Sequence, residues 1–503
     1  MIAGAVTSVI DLGAVGNGTT NDRVALAAAE AAGAGIYLPP GVYRISTSIT
    51  LTKVVTFAPG AILKPDNGVT ITLTGEIDAG LWQIFDTSAG GVFAGPARNQ
   101  HIYPDWWGAV PNIPTNQSPK IQAAITFAQA GNRTVYLRNG LWRCDTTLRI
   151  TEPAGIVGDP GNAFQSVTAA NSALDFSNAA ANVNGLEIGR TTDFPLDGGV
   201  VRDIAIFRAA LPTTGSGATG LKLKSCGQVE CINVMCWNWD VGFMVGGTAL
   251  YPSAQCEFSG CRSQYAGTYH FDIWSAIDTT FDRCAAGGGP AAYCVFIYPN
   301  AGAVLPNALH FTNCVFVSAD AQNGARILGG FWHTFQGCVF EEQNEAGILV
   351  SMPVQDLSLL NVAVTDCWFN GCATPFSSVG VGGNFRIENN RMENSFANIG
   401  LSALSIDSTQ NVSAERDVVI TGNILKVSGA SQSGMFIQRI SGARISGNKI
   451  YCVGAAAANA GIVLGSLATN TIVSENRSLT TFVDPGGISN NGTNNNLINN
   501  NKG

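Results

Sequence analysis

A short pattern of apolar and polar positions recurs along the second half of the chain. An apolar residue is followed three positions later by Cys or Asn, and a second apolar residue comes two positions after that. The repeated pairs are Phe258 and Cys261, Phe281 and Cys284, Phe311 and Cys314, Phe335 and Cys338, Val364 and Cys367, Ile387 and Asn390, Ile420 and Asn423, Ile445 and Asn448, and Val473 and Asn476. Looser copies centre on Ile204 and Ile232.

This pattern predicts an all-β solenoid. The copies lie about 27 residues apart, a length that suits a coil of three short strands and tight turns. Coils of a parallel β-helix stack ~4.8 Å apart, so equivalent side chains form ladders along the axis. Buried Asn would pass hydrogen bonds along such a ladder, and buried Cys would act as a small apolar residue with a weak thiol donor. We therefore interpret the repeated cysteines as core rather than as redox or metal-binding residues.

The first half of the chain carries a different motif in two copies. Residues 11–22 form a Gly-rich turn, residues 24–32 predict a short helix, and residues 36–45 predict two strands around a Pro-Gly turn. In the second copy, residues 107–112 lead to Ser118, an N-cap followed by Pro at the first helical position. A helix over 120–130 and a strand pair over 135–144 follow.

These two copies resemble the opening of the pectate-lyase-like β-helix superfamily, which has a D-x-G-A-x-G-D-G-x-x-D-D turn and a Y-L-P-P-G-x-Y strand pair. The first copy matches closely, whereas the second keeps Gly-Ala-Val and loses the Pro-Pro. The segment YPDWWG at 103–108 resembles segments of phage tailspikes and tail-associated depolymerases. The resemblance implies a right-handed parallel β-helix with short N-terminal capping helices, a homotrimer and a polysaccharide partner. Its members include lyases, hydrolases, epimerases and non-catalytic binders, so the chemistry stays open.

The domain boundaries follow from these patterns. Residues 1–100 are predicted to form the N-terminal cap and first coils, and residues 101–480 the main β-helix. Residues 481–503 form an Asn- and Gly-rich tail with too few apolar residues for a folded domain. We expect any subunit contacts to come from the faces of the helix itself.

Composition and charge narrow the partners. Charged residues make up 12% of the chain and the net charge is −8, without a basic run, which argues against nucleic acid and anionic membranes. The N-terminus lacks the features of a signal peptide, and no apolar stretch has the length of a membrane span. The 13 cysteines lack the paired spacing of zinc sites. We predict no metal and no cofactor; the Gly-rich turn at 16–18 has no P-loop lysine and is not a nucleotide site.

Candidate chemistry comes from strand alternation around the ladder residue. Positions two, four and six before it should point outward. These offsets place Glu257, Asp278, Asp282, His310 and Trp332 on one face of successive coils. Paired carboxylates and an aromatic surface are what a glycosidase needs, and an imidazole could serve as the base of a lyase. Scattered surface polarity is the alternative interpretation of the same residues.

A second patch is predicted after the turn, one and three positions beyond the ladder residue. Glu341, Asn370 and Glu393 occupy one line of positions, and Trp368 and Arg391 the other. A solvated ion-pair face, with Arg391 neutralising Glu393, is an equally good interpretation. Further aromatic candidates are Trp274 and the segment WNWD at 237–240, which could stack on sugars or pack between subunits.

The sequence therefore predicts a phage tailspike-type depolymerase that binds and cleaves bacterial surface polysaccharide, such as capsule, O-antigen or exopolysaccharide. Hydrolysis by a carboxylate pair is the first choice of reaction. The alternatives are a polysaccharide lyase acting by β-elimination and a non-catalytic receptor-binding tail protein. The expected location is the virion, next to tail or baseplate proteins, and the alternative is the extracellular space.

Overall fold

In the computed structural model, the described residues are 6–33, 35–159, 172–190, 196–248, 250–300, 303–317, 322–351, 361–379, 384–393, 404–407, 417–427, 433–438, 440–452, 460–478 and 488–498. The chain divides into two compact units. The N-terminal unit contains residues 1–190 and 196–208, and the C-terminal unit contains residues 191–195 and 209–503.

The described residues of the N-terminal unit form short parallel strands, two α-helices, Arg23–Ala31 and Ser118–Gln129, and two 3₁₀-helices, Ile10–Leu12 and Pro104–Trp107. Its strands are Val6–Ser8, Asn17–Asn21, Gly35–Leu38, Gly41–Ile45, Ile49–Leu51, Val55–Phe57, Ala61–Pro65, Thr70–Leu73, Ile77–Asp78, Val92–Ala94, His101–Ile102, Thr134–Leu137, Gly140–Arg143, Leu148–Ile150, Gly155–Gly158, Ser172–Asp175, Leu186–Ile188, Leu196–Arg202 and Ala205–Phe207. The helices predicted over 24–32 and 120–130 are confirmed to within two residues at each end.

The two copies of the N-terminal motif fold alike. In the first copy the Tyr43 hydroxyl donates to the carbonyl oxygen of Pro39 at 2.8 Å, and in the second the Trp142 indole N–H donates to that of Arg138 at 3.0 Å. In both copies the residue before the helix closes the preceding turn with a side-chain oxygen. Asp22 accepts from the Val15 N–H at 2.7 Å in the first copy, and Gln117 accepts from the Val110 N–H at 3.2 Å in the second. The duplication predicted from sequence therefore extends to individual hydrogen bonds.

The C-terminal unit is built from three parallel sheets, which the chain visits in a fixed order in each coil. The first sheet contains Cys226–Ile232, Ser253–Ala254, Glu257–Ser259, Ala276–Asp282, Asn307–Thr312, His333–Gln336, Asn361–Thr365, Asn384–Glu388, Val418–Thr421, Arg444–Ser446, Ile472–Ser474 and Asn496–Leu497. The second contains Met235–Trp237, Arg262–Gln264, Ala285–Gly287, Val315–Val317, Val339–Glu341, Trp368–Asn370, Arg391–Glu393, Ile424–Val427, Lys449–Cys452 and Arg477–Ser478. The third contains Thr219–Lys224, Val241–Gly246, Tyr269–Ile273, Tyr293–Ile297, Asn323–Ile327, Ala346–Ser351, Thr374–Val379, Leu404–Asp407, Ser433–Gln438, Ala460–Leu464 and Ile488–Asn490.

The repeat found in the sequence is the register of the first sheet. Each apolar residue of the repeat pairs with the one in the next coil: Phe258 with Phe281, Phe281 with Phe311, and Phe311 with Phe335. The line continues through the apolar residue of every later copy to Val473. All these side chains are buried. The prediction of a parallel β-helix is confirmed.

A tight turn joins the first sheet to the second, and its geometry explains the residue before each ladder position. That residue has a positive φ in the copies from Gly260 to Glu475. Gly, Asn or Asp occupies most of these turns, because they adopt the left-handed conformation at the lowest cost. Arg283, with a φ of 51°, and Glu475, with a φ of 57°, are the bulky exceptions. No helix among the described residues is long and apolar enough to cross a membrane.

Candidate functional site

Two outward lines of side chains run along the first sheet of the C-terminal unit. The register aligns Glu230, Glu257, Thr280, His310, Thr334, Ala363, Arg386 and Val419 as one line, which we call the central column. Two residues earlier on the same strands lie Gln228, Gln255, Asp278, Ala308, Trp332, Asn361, Asn384 and Asp417, which we call the flanking column. Five successive members of the flanking column, from Gln228 to Trp332, have φ between 49° and 62°.

Four carboxylates gather at the start of this face, and we call them the acid cluster: Glu230, Glu257, Asp278 and Asp282. Glu257 pairs in register with Glu230 on one side and with Thr280 on the other. Asp278 and Asp282 stand two residues before and after Thr280, so each is diagonal to Glu257. A coil spacing of ~4.8 Å and a rise of ~3.3 Å per residue place each pair roughly 8 Å apart at the backbone.

Asp282 is the carboxylate whose position the structure restrains most. The Arg283 guanidinium donates from Nε to its Oδ2 at 2.7 Å and from Nη2 to the Ser259 hydroxyl of the preceding coil at 3.1 Å. Asp278 and Glu257 are exposed to solvent. One carboxylate is thus held by a cation that bridges two coils, while its diagonal neighbour remains open.

A groove of about 310 Å³ follows the acid cluster on the same face. It is lined by Ala308, His310, Trp332, His333, Thr334, Asn361, Val362, Ala363, Asn384, Phe385, Arg386, Asp417 and Val419. The Trp332 side chain is 64% exposed, and the His310 Nδ1 hydrogen-bonds to the Thr334 hydroxyl at 2.8 Å. Burial lowers the pKa of His333, beneath the groove, to about 4, so this imidazole is neutral at pH 7. The groove offers an indole surface, amides and hydroxyls, which are the groups that bind sugars.

All five residues predicted for the first patch therefore lie on one face. Glu257, Asp278 and Asp282 belong to the acid cluster, whereas His310 and Trp332 line the groove. Glu230 was missed because Val234 stands where later coils have Cys or Asn, so the offset rule had no reference residue there. Asn361, Asn384, Arg386 and Asp417 were missed as well, although the same offsets, continued along the later coils, would have found them.

The second predicted patch lies on a different sheet. Glu341, Asn370 and Glu393 are in register on the second sheet, which places the two glutamates about 10 Å apart. Glu393 accepts hydrogen bonds from Arg391 at 2.5 Å and Lys426 at 2.7 Å. Partial burial raises the pKa of Glu393, but these two hydrogen bonds outweigh it and hold the pKa below its usual value. An ion-pair face is therefore the better interpretation of this patch.

The remaining tryptophans differ in what they can contact. Trp368 is 38% exposed beside Arg391, and Trp274 is half-buried and packs close to Gly246. Trp237 packs on Tyr265 with ring centroids 5.0 Å apart. In the same segment Trp239 is a core residue and Asp240 is buried, accepting backbone N–H groups of Gly215 and Gly217. Within this candidate segment, which could stack on sugars or pack between subunits, Trp239 and Asp240 are therefore unavailable for either contact and stabilise the coil instead.

Among the side chains that the structure describes, no three His, Cys, Asp or Glu residues are arranged to hold a metal ion. The twelve cysteines with described side chains are free thiols and are buried.

Several solved structures are similar to this chain. A mannuronan C-5 epimerase A-module from Azotobacter vinelandii is 14% identical, with a TM-score of 0.35 and 99% of each chain covered. Tailspike protein 3 of bacteriophage CBA120 is 12% identical, with a TM-score of 0.47; the match covers 79% of this chain and 59% of the tailspike. The adhesin PfbA of Streptococcus pneumoniae is 13% identical, with a TM-score of 0.47, covering 78% of this chain and 93% of the adhesin.

Sequence comparison gives a more local result. No curated protein matches the chain. Residues 6–67 match the family model described as rhamnogalacturonase A/epimerase, pectate lyase-like. This segment contains the first copy of the N-terminal motif, so the resemblance to pectate-lyase-like proteins that residues 11–45 indicated is confirmed there.

Proposed function

We propose that this protein binds and cleaves a bacterial surface polysaccharide, as a tailspike-type glycoside hydrolase. The observation that carries the proposal is the placement of the acid cluster directly beside the Trp332 groove, on one exposed sheet face. A polymer lying along the face would contact the indole in the groove while one of its glycosidic bonds reached the carboxylates.

The proposed chemistry uses Glu257 with a diagonal aspartate. Glu257 would protonate the leaving oxygen, and Asp282, held by Arg283, would activate water as the general base. A separation of about 6.5–9.5 Å between two carboxyl groups is typical of inverting glycosidases, and side chains on backbone positions roughly 8 Å apart can adopt it. Asp278 lies equally close to Glu257 and is the second candidate for the base.

A lyase reaction is the alternative that His310 supports. Its Nδ1 is engaged by Thr334, which leaves Nε2 as the atom that could take a proton from a uronate ring. Elimination also needs a cation close to the uronate carboxylate. In the groove the guanidinium is that of Arg386, three coils from His310 and therefore about 14 Å away along the axis. Hydrolysis fits this arrangement better.

Assembly and location are part of the proposal. A homotrimer on a phage tail, next to tail or baseplate proteins, would place several identical grooves along one polysaccharide; a secreted extracellular protein is the alternative. The domain boundaries at residues 100 and 480 also stay predictions, and residues 481–487 and 499–503 lie outside the described residues.

The experiment is to incubate the purified protein with a panel of bacterial capsular and O-antigen polysaccharides. Product size shows cleavage, and new ultraviolet absorbance of unsaturated uronates distinguishes a lyase from a hydrolase. We expect shortened products without new absorbance, and at least a 100-fold loss of rate for Glu257→Gln or Asp282→Asn, the scale of general acid–base catalysis.

Glu341→Gln, on the second sheet, is the matched control and should keep the wild-type rate. Loss of activity in Glu341→Gln but not in Glu257→Gln would transfer the active site to the second sheet. Binding without shortening, on a panel that includes a bound polymer, would contradict the enzyme and leave the non-catalytic receptor-binding protein.

A further inference from the structure

Arg386 is a guanidinium at the far end of the groove with little neutralisation from the protein. Its side chain is 59% exposed, and its Nη1 lies 4.0 Å from the Glu388 carboxylate, which is the outer limit of an ion pair. Its neighbours in the central column are Ala363 and Val419, which carry no charge. By contrast, Arg391 on the second sheet donates to Glu393 at 2.5 Å. Arg386 is therefore placed to accept an anion from outside.

The amides near Arg386 are already organised. The Asn384 side chain donates from Nδ2 to Asn361 Oδ1 at 2.9 Å and accepts the Asp417 N–H at 3.1 Å. These bonds fix the amides of the flanking column beside the guanidinium. Asp417, diagonal to Arg386 in the next coil, adds a carboxylate to the groove lining.

The same face is negative at its other end. Thr280 stands between the two aspartates of the acid cluster, and Arg386 lies four coils beyond it. Four coils correspond to about 19 Å along the axis. A polymer with a carboxylate on every sugar would be repelled by the acid cluster. A fully neutral polymer would leave Arg386 unused. The charge pattern suits a chain in which one anionic sugar is followed by uncharged sugars.

From this pattern we infer that the groove takes a glycan with isolated carboxylate-bearing sugars, one of which binds Arg386 while uncharged sugars lie over Trp332 and the acid cluster. The planar guanidinium can bind a carboxylate through two parallel hydrogen bonds, which an ammonium cannot reproduce. This inference rests on the proposed function for its polymer, but the recognition of a carboxylate at Arg386 does not require cleavage.

The test uses two small probes that differ only at C6, methyl β-glucuronide with a carboxylate and methyl β-glucoside with a hydroxymethyl group. Binding to the full chain is followed by ligand-observed NMR titration. We expect the glucuronide to bind more tightly than the glucoside, and Arg386→Ala to weaken its binding by about tenfold, the scale of a hydrogen bond to a charged group. Arg386→Lys should recover only part of the loss.

Arg444→Ala is the matched control, because Arg444 is exposed in the same column two coils further on and does not line the groove. It should bind the glucuronide as the wild type does. Equal affinity for both probes, no binding of the glucuronide, or an equal loss in both alanine variants would overturn the inference. A glucuronide preference that depends on Arg386, in a protein that cleaves no polysaccharide, would support the inference while contradicting the proposed enzyme.

Discussion

The ladder that runs through the core of the C-terminal unit changes its chemistry half-way. From Cys261 to Cys367 it consists of thiols, and from Asn390 to Asn476 it consists of amides. Both kinds of side chain donate to the same backbone group, the carbonyl oxygen of the apolar repeat residue in the preceding coil. In the Cys stack the Cys314 thiol donates to the Phe281 carbonyl oxygen at 3.3 Å, and in the Asn stack Asn423 Nδ2 donates to the Ile387 carbonyl oxygen at 2.8 Å. The same backbone carbonyl can thus accept a hydrogen bond from either a thiol or a side-chain amide.

The two stacks differ in how strongly their members depend on each other. The side-chain oxygens of Asn423, Asn448 and Asn476 each accept from the backbone N–H and the side-chain amide of the preceding ladder residue; Asn448 Oδ1, for instance, accepts from Asn423 N at 3.0 Å and Nδ2 at 2.9 Å. A thiol is a weak acceptor and cannot extend such a chain. In the Cys stack the packing comes instead from parallel phenylalanine rings, such as Phe281 and Phe311 with centroids 4.6 Å apart. The Asn stack is a connected network of amides, whereas each thiol of the Cys stack donates to a carbonyl oxygen of the preceding coil.

The largest expected effect is the removal of one amide from the middle of the network. Asn423→Ala removes the side-chain oxygen that accepts the Asn390 backbone N–H and Nδ2, and the side-chain donor to the Ile387 carbonyl. Asn448 Oδ1 loses one of its two donors and keeps the backbone N–H of residue 423. We expect a loss of about 4 kcal/mol in the free energy of unfolding, because several buried groups become unsatisfied together. Denaturant-induced unfolding of the variant and the wild type measures this loss.

Cys314→Ala is the matched change in the other stack. It removes one weak hydrogen bond and a small apolar volume, so we expect a loss of about 1 kcal/mol. Similar losses in Asn423→Ala and Cys314→Ala would show that the amides are not coupled and would remove the distinction between the stacks.

The coils of the Cys stack also bury titratable groups. Burial raises the pKa of Asp272 to about 7 even though the Tyr298 hydroxyl hydrogen-bonds to it. An unfolded aspartate has a pKa of about 3.9, so the contribution of Asp272 to the free energy of unfolding should fall as the pH rises from 4 to 7. Burial lowers the pKa of His270 and His333 to about 4. Their contribution to the free energy of unfolding has the opposite pH dependence, because it is lost as the pH drops below about 6.5.

Asp272→Asn separates these contributions, because the histidines are the same in both proteins. We expect the variant to be more stable than the wild type by about 4 kcal/mol at pH 8, with little advantage at pH 4. Asp417→Asn, an exposed change, should show no such pH dependence. A constant difference between Asp272→Asn and the wild type from pH 4 to pH 8 would contradict a raised pKa at Asp272.

Much of this architecture could be predicted from the sequence, because period-two alternation places side chains inside or outside once one ladder residue is known. Phe281 and Asp282 were assigned to opposite faces in this way. The charge state of Glu393 could not be assigned from its own coil, because Lys426 reaches it from the next one. Trp239 was misjudged for a related reason: its side chain is buried by neighbouring coils, which no local pattern records.

The boundary between the stacks gives the smallest but most specific prediction. In Cys367→Asn the new side-chain amide would have two acceptors already in place. One is the Phe335 carbonyl oxygen, which accepts from the thiol at 3.4 Å, and the other is Asn390 Oδ1, which accepts the Cys367 N–H at 2.8 Å. At Cys314 the next ladder residue is a thiol, so one amide hydrogen would have no acceptor. We expect Cys314→Asn to be less stable than Cys367→Asn by about 1–2 kcal/mol, measured by denaturant unfolding. Alanine at the same two positions controls for the lost sulfur. If Cys367→Asn were the less stable of the two, the amide network could not be extended by one coil, and the change from Cys to Asn would reflect packing against the aromatic rings rather than hydrogen bonding.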